Sequence, residues 1–117
     1  MDKNSSGELV VIISRDTLGA GAEELGKILI KGFIYSLTEL DPPPGFIAFI
    51  NSGVCLTSED SNSIDDLKKL EEKGTEILTC GTCSNYYKLQ DKLAVGSIGN
   101  MSGITERMAT ARSVINI

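Results

Sequence analysis

Leu9-Val10-Val11-Ile12-Ile13 is an unbroken apolar run in which four of the five residues are β-branched. A strand covered on one face alternates apolar with polar residues, and a strand covered on both faces does not. The run therefore predicts a central strand of a parallel sheet. Beyond the turn-forming segment Ser14 to Gly21, apolar residues at Leu25, Ile28, Leu29, Ile30, Phe33, Ile34 and Leu37 predict a helix from about Ala22 to Thr38. That stripe is wider than one sheet face needs. Asp41-Pro42-Pro43-Pro44-Gly45 ends the helix region, and Phe46 to Ile50 (FIAFI) reads as a second buried strand.

The same alternation continues to the end of the chain. Ser63-Ile64-Asp65-Asp66 has the form of a capping box, and Ile64, Leu67 and Leu70 carry a helix on to Gly74. Thr75 to Thr79 reads as a third strand, Ser84 to Gln90 as a brief helix and Lys92 to Val95 as a fourth strand. A last helix from about Gly103 to Arg112 leads into Ser113-Val114-Ile115-Asn116-Ile117. Strands alternating with helices predict a three-layer α/β/α sandwich with a mostly parallel sheet of about five strands and right-handed crossovers. Such a fold places ligands beyond the carboxyl ends of its strands. Residues 9–117 are expected to form one domain, preceded by a flexible polar segment, residues 1–8.

Composition narrows the function. A length of 117 residues suits one domain, and 41% hydrophobic with 23% charged residues is the balance of a soluble globular protein. The net charge of -5 argues against nucleic acid as a partner, because affinity for a phosphate backbone comes from Lys and Arg. There is no histidine, which removes the commonest general base, the commonest zinc nitrogen ligand and every Ser-His or Cys-His pair. No stretch approaches the ~20 apolar residues of a spanning helix, so no membrane partner is expected. The run at Leu9 is too short for a secretory signal and lacks a basic flank. The expected location is the cytoplasm, with the three cysteines as free thiols.

Cys80-Gly81-Thr82-Cys83 follows the third predicted strand and opens a short helix, on the edge where this fold class keeps its reactive groups. A cysteine at a helix start meets unpaired N–H groups, which favour the nucleophilic thiolate and lower its pKa. Gly81 lets the backbone turn tightly there. The spacing is open to several readings. Both cysteines can be small buried hydrophobes, in which case the protein is a non-enzymatic oligomeric binding module with structural cysteines. Structural zinc takes about four ligands, and the chain adds only Cys55 to the pair, so neither a metal nor a cofactor is expected. A dithiol oxidoreductase uses the same C-x-x-C at a strand-to-helix junction, although usually after an early strand. A sulfur carrier needs only the thiolate, which accepts a sulfur atom as a persulfide and passes it on.

Three loops reach the same edge or resemble a binding motif. Asp16 to Gly26 (DTLGAGAEELG) follows the first strand, but its glycine spacing departs from G-x-G-x-x-G, and Glu23 and Glu24 would oppose a phosphate. A plain helix-opening turn fits better. Asn51-Ser52-Gly53-Val54-Cys55-Leu56 follows the second strand and is either a tight turn or part of a pocket with the C-x-x-C pair. Asn100-Met101 opens the last helix, with polar capping as the simplest role for Asn100.

Taken together, SRDTLGAGAEELGKILIKGFIYSLTEL, FINSGVCLT, LEEKGTEILTCGTC and VGSIGNM resemble the DsrE-like sulfur-relay family, and within it the C-terminal domain of the YedF proteins associated with selenium metabolism. The resemblance runs from about Leu9 to Ile117. It implies an α/β/α domain, homo-oligomers of three or more copies, and sulfur or selenium handled as a cysteine persulfide. It assigns the reactive position to Cys80 and an assisting thiol to Cys83, and it sets Asn51, Ser52, Gly53, Asn100 and Met101 around the pocket, to which the placement of Cys55, Gly81 and Thr82 on the same loops adds three further candidates. It also implies a sulfur-carrier protein or TusA-like domain as donor or acceptor, since the YedF pattern joins such a domain, with a Cys-Pro-x-Pro motif, to this one. The chain departs from that pattern at Cys55, where a non-cysteine is expected, at Ser102, where an aromatic is expected, and in having no Cys-Pro-x-Pro.

Overall fold

The apolar run at the start forms β1, Leu9–Ile13, in the middle of a parallel sheet. A computed structural model of the chain describes residues 8–117. The expected flexible segment 1–8 lies outside the described residues except for Glu8. The elements that follow β1 are α1 (Glu23–Leu37), β2 (Phe46–Phe49), a 3-10 helix (Asn51–Thr57), α2 (Ile64–Glu72) and β3 (Glu76–Cys80). They continue with α3 (Gly81–Tyr86), β4 (Ser97–Gly99), α4 (Met101–Thr110) and β5 (Ser113–Asn116). The sheet order is β4-β3-β2-β1-β5, and every pairing is parallel. The register sets Val11 beside Ile47 and Ile47 beside Ile77.

Successive side chains of a strand face opposite layers, and the apolar run uses both. Val11 and Ile13 pack with Ile47, Phe49 and Ile77 against Ile30, Ile34 and Leu37 of α1 and Leu67 and Leu70 of α2. Val10 and Ile12 pack with Phe46, Ala48 and Cys80 against Ile104 of α4. Burying a Val or Ile side chain is worth about 1.5–3 kcal/mol, so the buried residues of β1 anchor both helical layers. At the amino end of the sheet, Arg107 of α4 pairs with Glu8 at 3.0 Å and Glu76 at 2.6 Å, and its guanidinium lies 4.2 Å from the centre of the Phe46 ring.

Several expected boundaries move, and each has a physical cause. The fourth strand is not Lys92 to Val95. That segment crosses the end of the sheet, where Ala94 N–H donates to the Thr57 carbonyl at 2.8 Å, Leu93 bridges Ser58 in antiparallel sense, and Val95 joins the core on the α1 side. Gly96 then turns with φ +76, and Ser97–Gly99 pairs with β3. A Cβ at residue 99 would meet the Leu78 side chain, which would have to shift to admit it. The brief helix starts at Gly81 rather than Ser84, with Cys80 as its N-cap residue. The last helix starts at Met101, because the Asn100 Oδ1 accepts the Gly103 N–H at 2.9 Å. The expected capping box does not form. Ser63 makes no side-chain cap, and Asp66 accepts a hydrogen bond from Lys31 of α1 at 2.7 Å instead of reaching back.

Candidate functional site

β2 and β3 end side by side, and the chain turns into a helix at each end: the 3-10 helix after Ile50 and α3 after Cys80. Both helical starts are held against the sheet. Gly53 sits so close to β1 that a Cβ would run into the Ile13 carbonyl oxygen, and Ile50 N–H donates to that carbonyl at 3.0 Å. Beneath the site, the Thr57 and Thr79 hydroxyls share a buried hydrogen bond of 2.7 Å, which ties the 3-10 helix to the residue before Cys80. A Cβ on Gly81 would crowd Ile98 at 3.1 Å and the Gly99 carbonyl at 3.3 Å, so this glycine lets α3 begin against β4.

The C-x-x-C pair divides into an inner and an outer thiol. Cys80 is 3% exposed and packs in the core on the α4 side. Cys83 is half-buried and, with Asn51, Thr82, Tyr86 and Tyr87, lines an open cavity of about 420 Å3. The Cys83 sulfur accepts the Asn51 backbone N–H at 3.1 Å. Asn51 donates from a left-handed conformation, φ 50, and its side-chain Oδ1 accepts the Tyr87 hydroxyl at 2.9 Å. Burial pushes the Cys83 thiol up from its ordinary value. The Asn51 N–H works in the opposite direction, and the neighbouring Cys80 thiol adds to the rise. At Cys83 desolvation outweighs the N–H donor.

The remaining sequence candidates separate. Ser52 accepts the Asp16 N–H at 3.3 Å and pins the loop after β1 to the start of the 3-10 helix. Asn100 and Met101 stand on the same sheet edge, since Gly99 pairs with Cys80, but the Asn100 side chain is engaged in capping α4 and Met101 is exposed. Cys55 does not join the pair. It lines a different cleft of about 430 Å3 with Asp16, Lys27, Ile30 and Leu89, where burial and then Asp16 raise its pKa while Lys27 lowers it. Among the described residues, no cluster of three or more Cys, Asp or Glu side chains is arranged to hold a metal ion.

Sequence reasoning passed over Tyr86 and Tyr87, which form the aromatic wall of the Cys83 cavity in an edge-to-face pair with ring centres 5.1 Å apart. Their signal was present: two of the three tyrosines of a chain without Trp lie adjacent, directly behind C-x-x-C.

No family model and no curated protein matches the chain. Solved structures do. The fold superposes on the ychN protein from E. coli with a TM-score of 0.71 at 15% identity, over 95% of this chain and 99% of that one. It also superposes on MTH1491 from Methanobacterium thermoautotrophicum, described as a protein of unknown function, with a TM-score of 0.68 at 19% identity and the same coverage. At these identities the likeness is one of fold. The fold is the DsrE-like α/β arrangement that the sequence resemblance implied.

Proposed function

We propose that the protein is a sulfur carrier or sulfurtransferase that holds sulfur as a persulfide on Cys80, with Cys83 assisting, and relays it to a partner. The observation that carries this reading is the meeting of the two thiols at the carboxyl edge of the sheet, one of them facing an open cavity with a backbone N–H on its sulfur. Sulfane-sulfur exchange between thiols needs a nucleophilic sulfur and a leaving thiolate, with neither a histidine base nor a metal. Most of the rate would come from holding two sulfurs in contact. Selenium, which shares this chemistry, is the second cargo that the YedF resemblance suggests. The donor or acceptor in this reading is a small sulfur-carrier protein or TusA-like domain, the setting is the reducing cytoplasm, and residues 9–117 act as one DsrE-like domain.

Self-association belongs to the same reading. Leu25, Ile28 and Leu29 stand on the outer face of α1, with Ile28 65% exposed, which supports a homo-oligomer of three or more copies. No helix among the described residues is long and apolar enough to cross a membrane.

One observation favours a second reading. Two thiols packed in one cluster also suit a dithiol oxidoreductase, in which they close to a disulfide. Incubation with a persulfide donor, digestion and mass spectrometry separate the two. A carrier gains the mass of one sulfur atom on the peptide holding Cys80, whereas an oxidoreductase gains none and instead cycles a Cys80–Cys83 disulfide at cellular potentials.

A further inference from the structure

The C-x-x-C pair has an unequal geometry that the relay reading leaves unused. At a strand-to-helix junction the first cysteine, as N-cap, is the one expected to face solvent. Here Cys80 is 3% exposed among Ile12, Phe46, Ala48 and Ile104, and Cys83, one helical turn on, lines the cavity. A donor arriving from outside meets the Cys83 sulfur first. That sulfur also receives a donor from across the site, the Asn51 N–H at 3.1 Å, fixed by the left-handed turn at Asn51 and the Tyr87 hydroxyl on its side chain. Cys80 lies behind it, in the core cluster against which Cys83 packs.

We infer that Cys83 is the port of the relay: it takes sulfur from the donor at the cavity and hands it inward to Cys80. This order rests on the sulfur-relay reading above. In the first step the Cys83 thiolate attacks the outer sulfur of a donor persulfide R–S–SH. A new S–S bond forms on Cys83, the donor S–S bond breaks, and R–S⁻ leaves with the electron pair. In the second step the Cys80 sulfur attacks the outer sulfur of the Cys83 persulfide, forming Cys80–S–SH, and the proton of Cys80 ends on the Cys83 thiolate that departs. One neutral sulfur atom moves in each step, so neither needs an external oxidant or reductant. The inner position then keeps the persulfide away from solvent thiols, and Asn51 stabilises the anion that forms on Cys83 in both steps.

The test uses the full chain carrying Cys55→Ser, so that sulfur can reach only the pair. Glutathione persulfide is mixed in, the reaction is quenched at successive times, and the adduct is located by mass spectrometry. With both thiols present, sulfur appears on Cys83 before Cys80. Cys80→Ser still loads Cys83. Cys83→Ser loads Cys80 about tenfold more slowly or less, because Cys80 must then wait for local opening. Alkylating Cys83 in the otherwise unmodified protein blocks Cys80 in the same way, which separates the order of transfer from any folding defect of the variant. Loading of Cys80 at an undiminished rate in Cys83→Ser overturns the order while leaving the relay reading intact. A Cys80–Cys83 disulfide with release of sulfide overturns the inward transfer. Absence of sulfur from both thiols overturns the relay reading and the order together.

Discussion

Asn51 holds the two halves of the site together with its main chain. Its φ of 50 aims the N–H at the Cys83 sulfur, and Asn accepts this conformation more readily than other residues with a Cβ. Asn51→Ala should lower stability by about 1–2 kcal/mol, the usual cost of a left-handed residue. Asn51→Gly should stay closer to wild type, since glycine takes this conformation freely, and urea unfolding of the two variants checks the difference. Cys83 supports a second expectation. Burial raises its pKa, so the protonated thiol persists through neutral pH and the thiolate gains only above the ordinary thiol range. Iodoacetamide should therefore modify Cys83 slowly at pH 7 and increasingly fast with rising pH, with a midpoint above that of a free cysteine. A midpoint below it would show that the thiolate is already poised. At this scale the sequence was legible in the C-x-x-C and NSG motifs, but which thiol faces outward was not, because exposure depends on how far the neighbouring 3-10 helix and β4 close over the pair.

The elements explain why the site is rigid. The 3-10 helix Asn51–Thr57 lies against β1 only because residue 53 lacks a side chain, and the Thr57–Thr79 hydrogen bond fixes its other end to β3. Gly53→Ala should cost about 1–3 kcal/mol, the range for forcing an extra methyl group into packed surroundings. The urea midpoint should fall with an unchanged slope. The core strands were readable from sequence because β1, β2 and β3 bury both faces and their apolar runs are continuous. β4 was not, because its three residues, Ser97–Gly99, are few, largely exposed and include a glycine, so they carry little strand pattern. The more apolar Lys92 to Val95 attracted the strand assignment although tertiary contacts hold it across the sheet end. The same limit applied to Ser63 and Asp66, where a local capping pattern yielded to the ion pair with Lys31 of the neighbouring helix.

At the scale of the whole molecule, the α1 stripe that seemed too wide for one sheet face divides in two. Ile30, Ile34 and Leu37 are buried in the core, while Leu25, Ile28 and Leu29 face outward. If that outer half is the contact between copies, wild type should sediment as a trimer or larger and Ile28→Glu as a monomer, because a buried unpaired carboxylate is costly at an apolar contact. Equal sedimentation of the two proteins would remove α1 from the assembly. The absence of histidine is consistent with the proposed reading, since transfer of sulfur between two thiols needs no imidazole. The most direct test is the mass gained by wild type and by the Cys80→Ser/Cys83→Ser double variant, both carrying Cys55→Ser, after exposure to glutathione persulfide and removal of excess donor. Wild type should carry one additional sulfur atom that thiol reductant removes, and the double variant should carry none. Equal gains in mass for the two proteins would contradict a sulfur-carrying role for the pair.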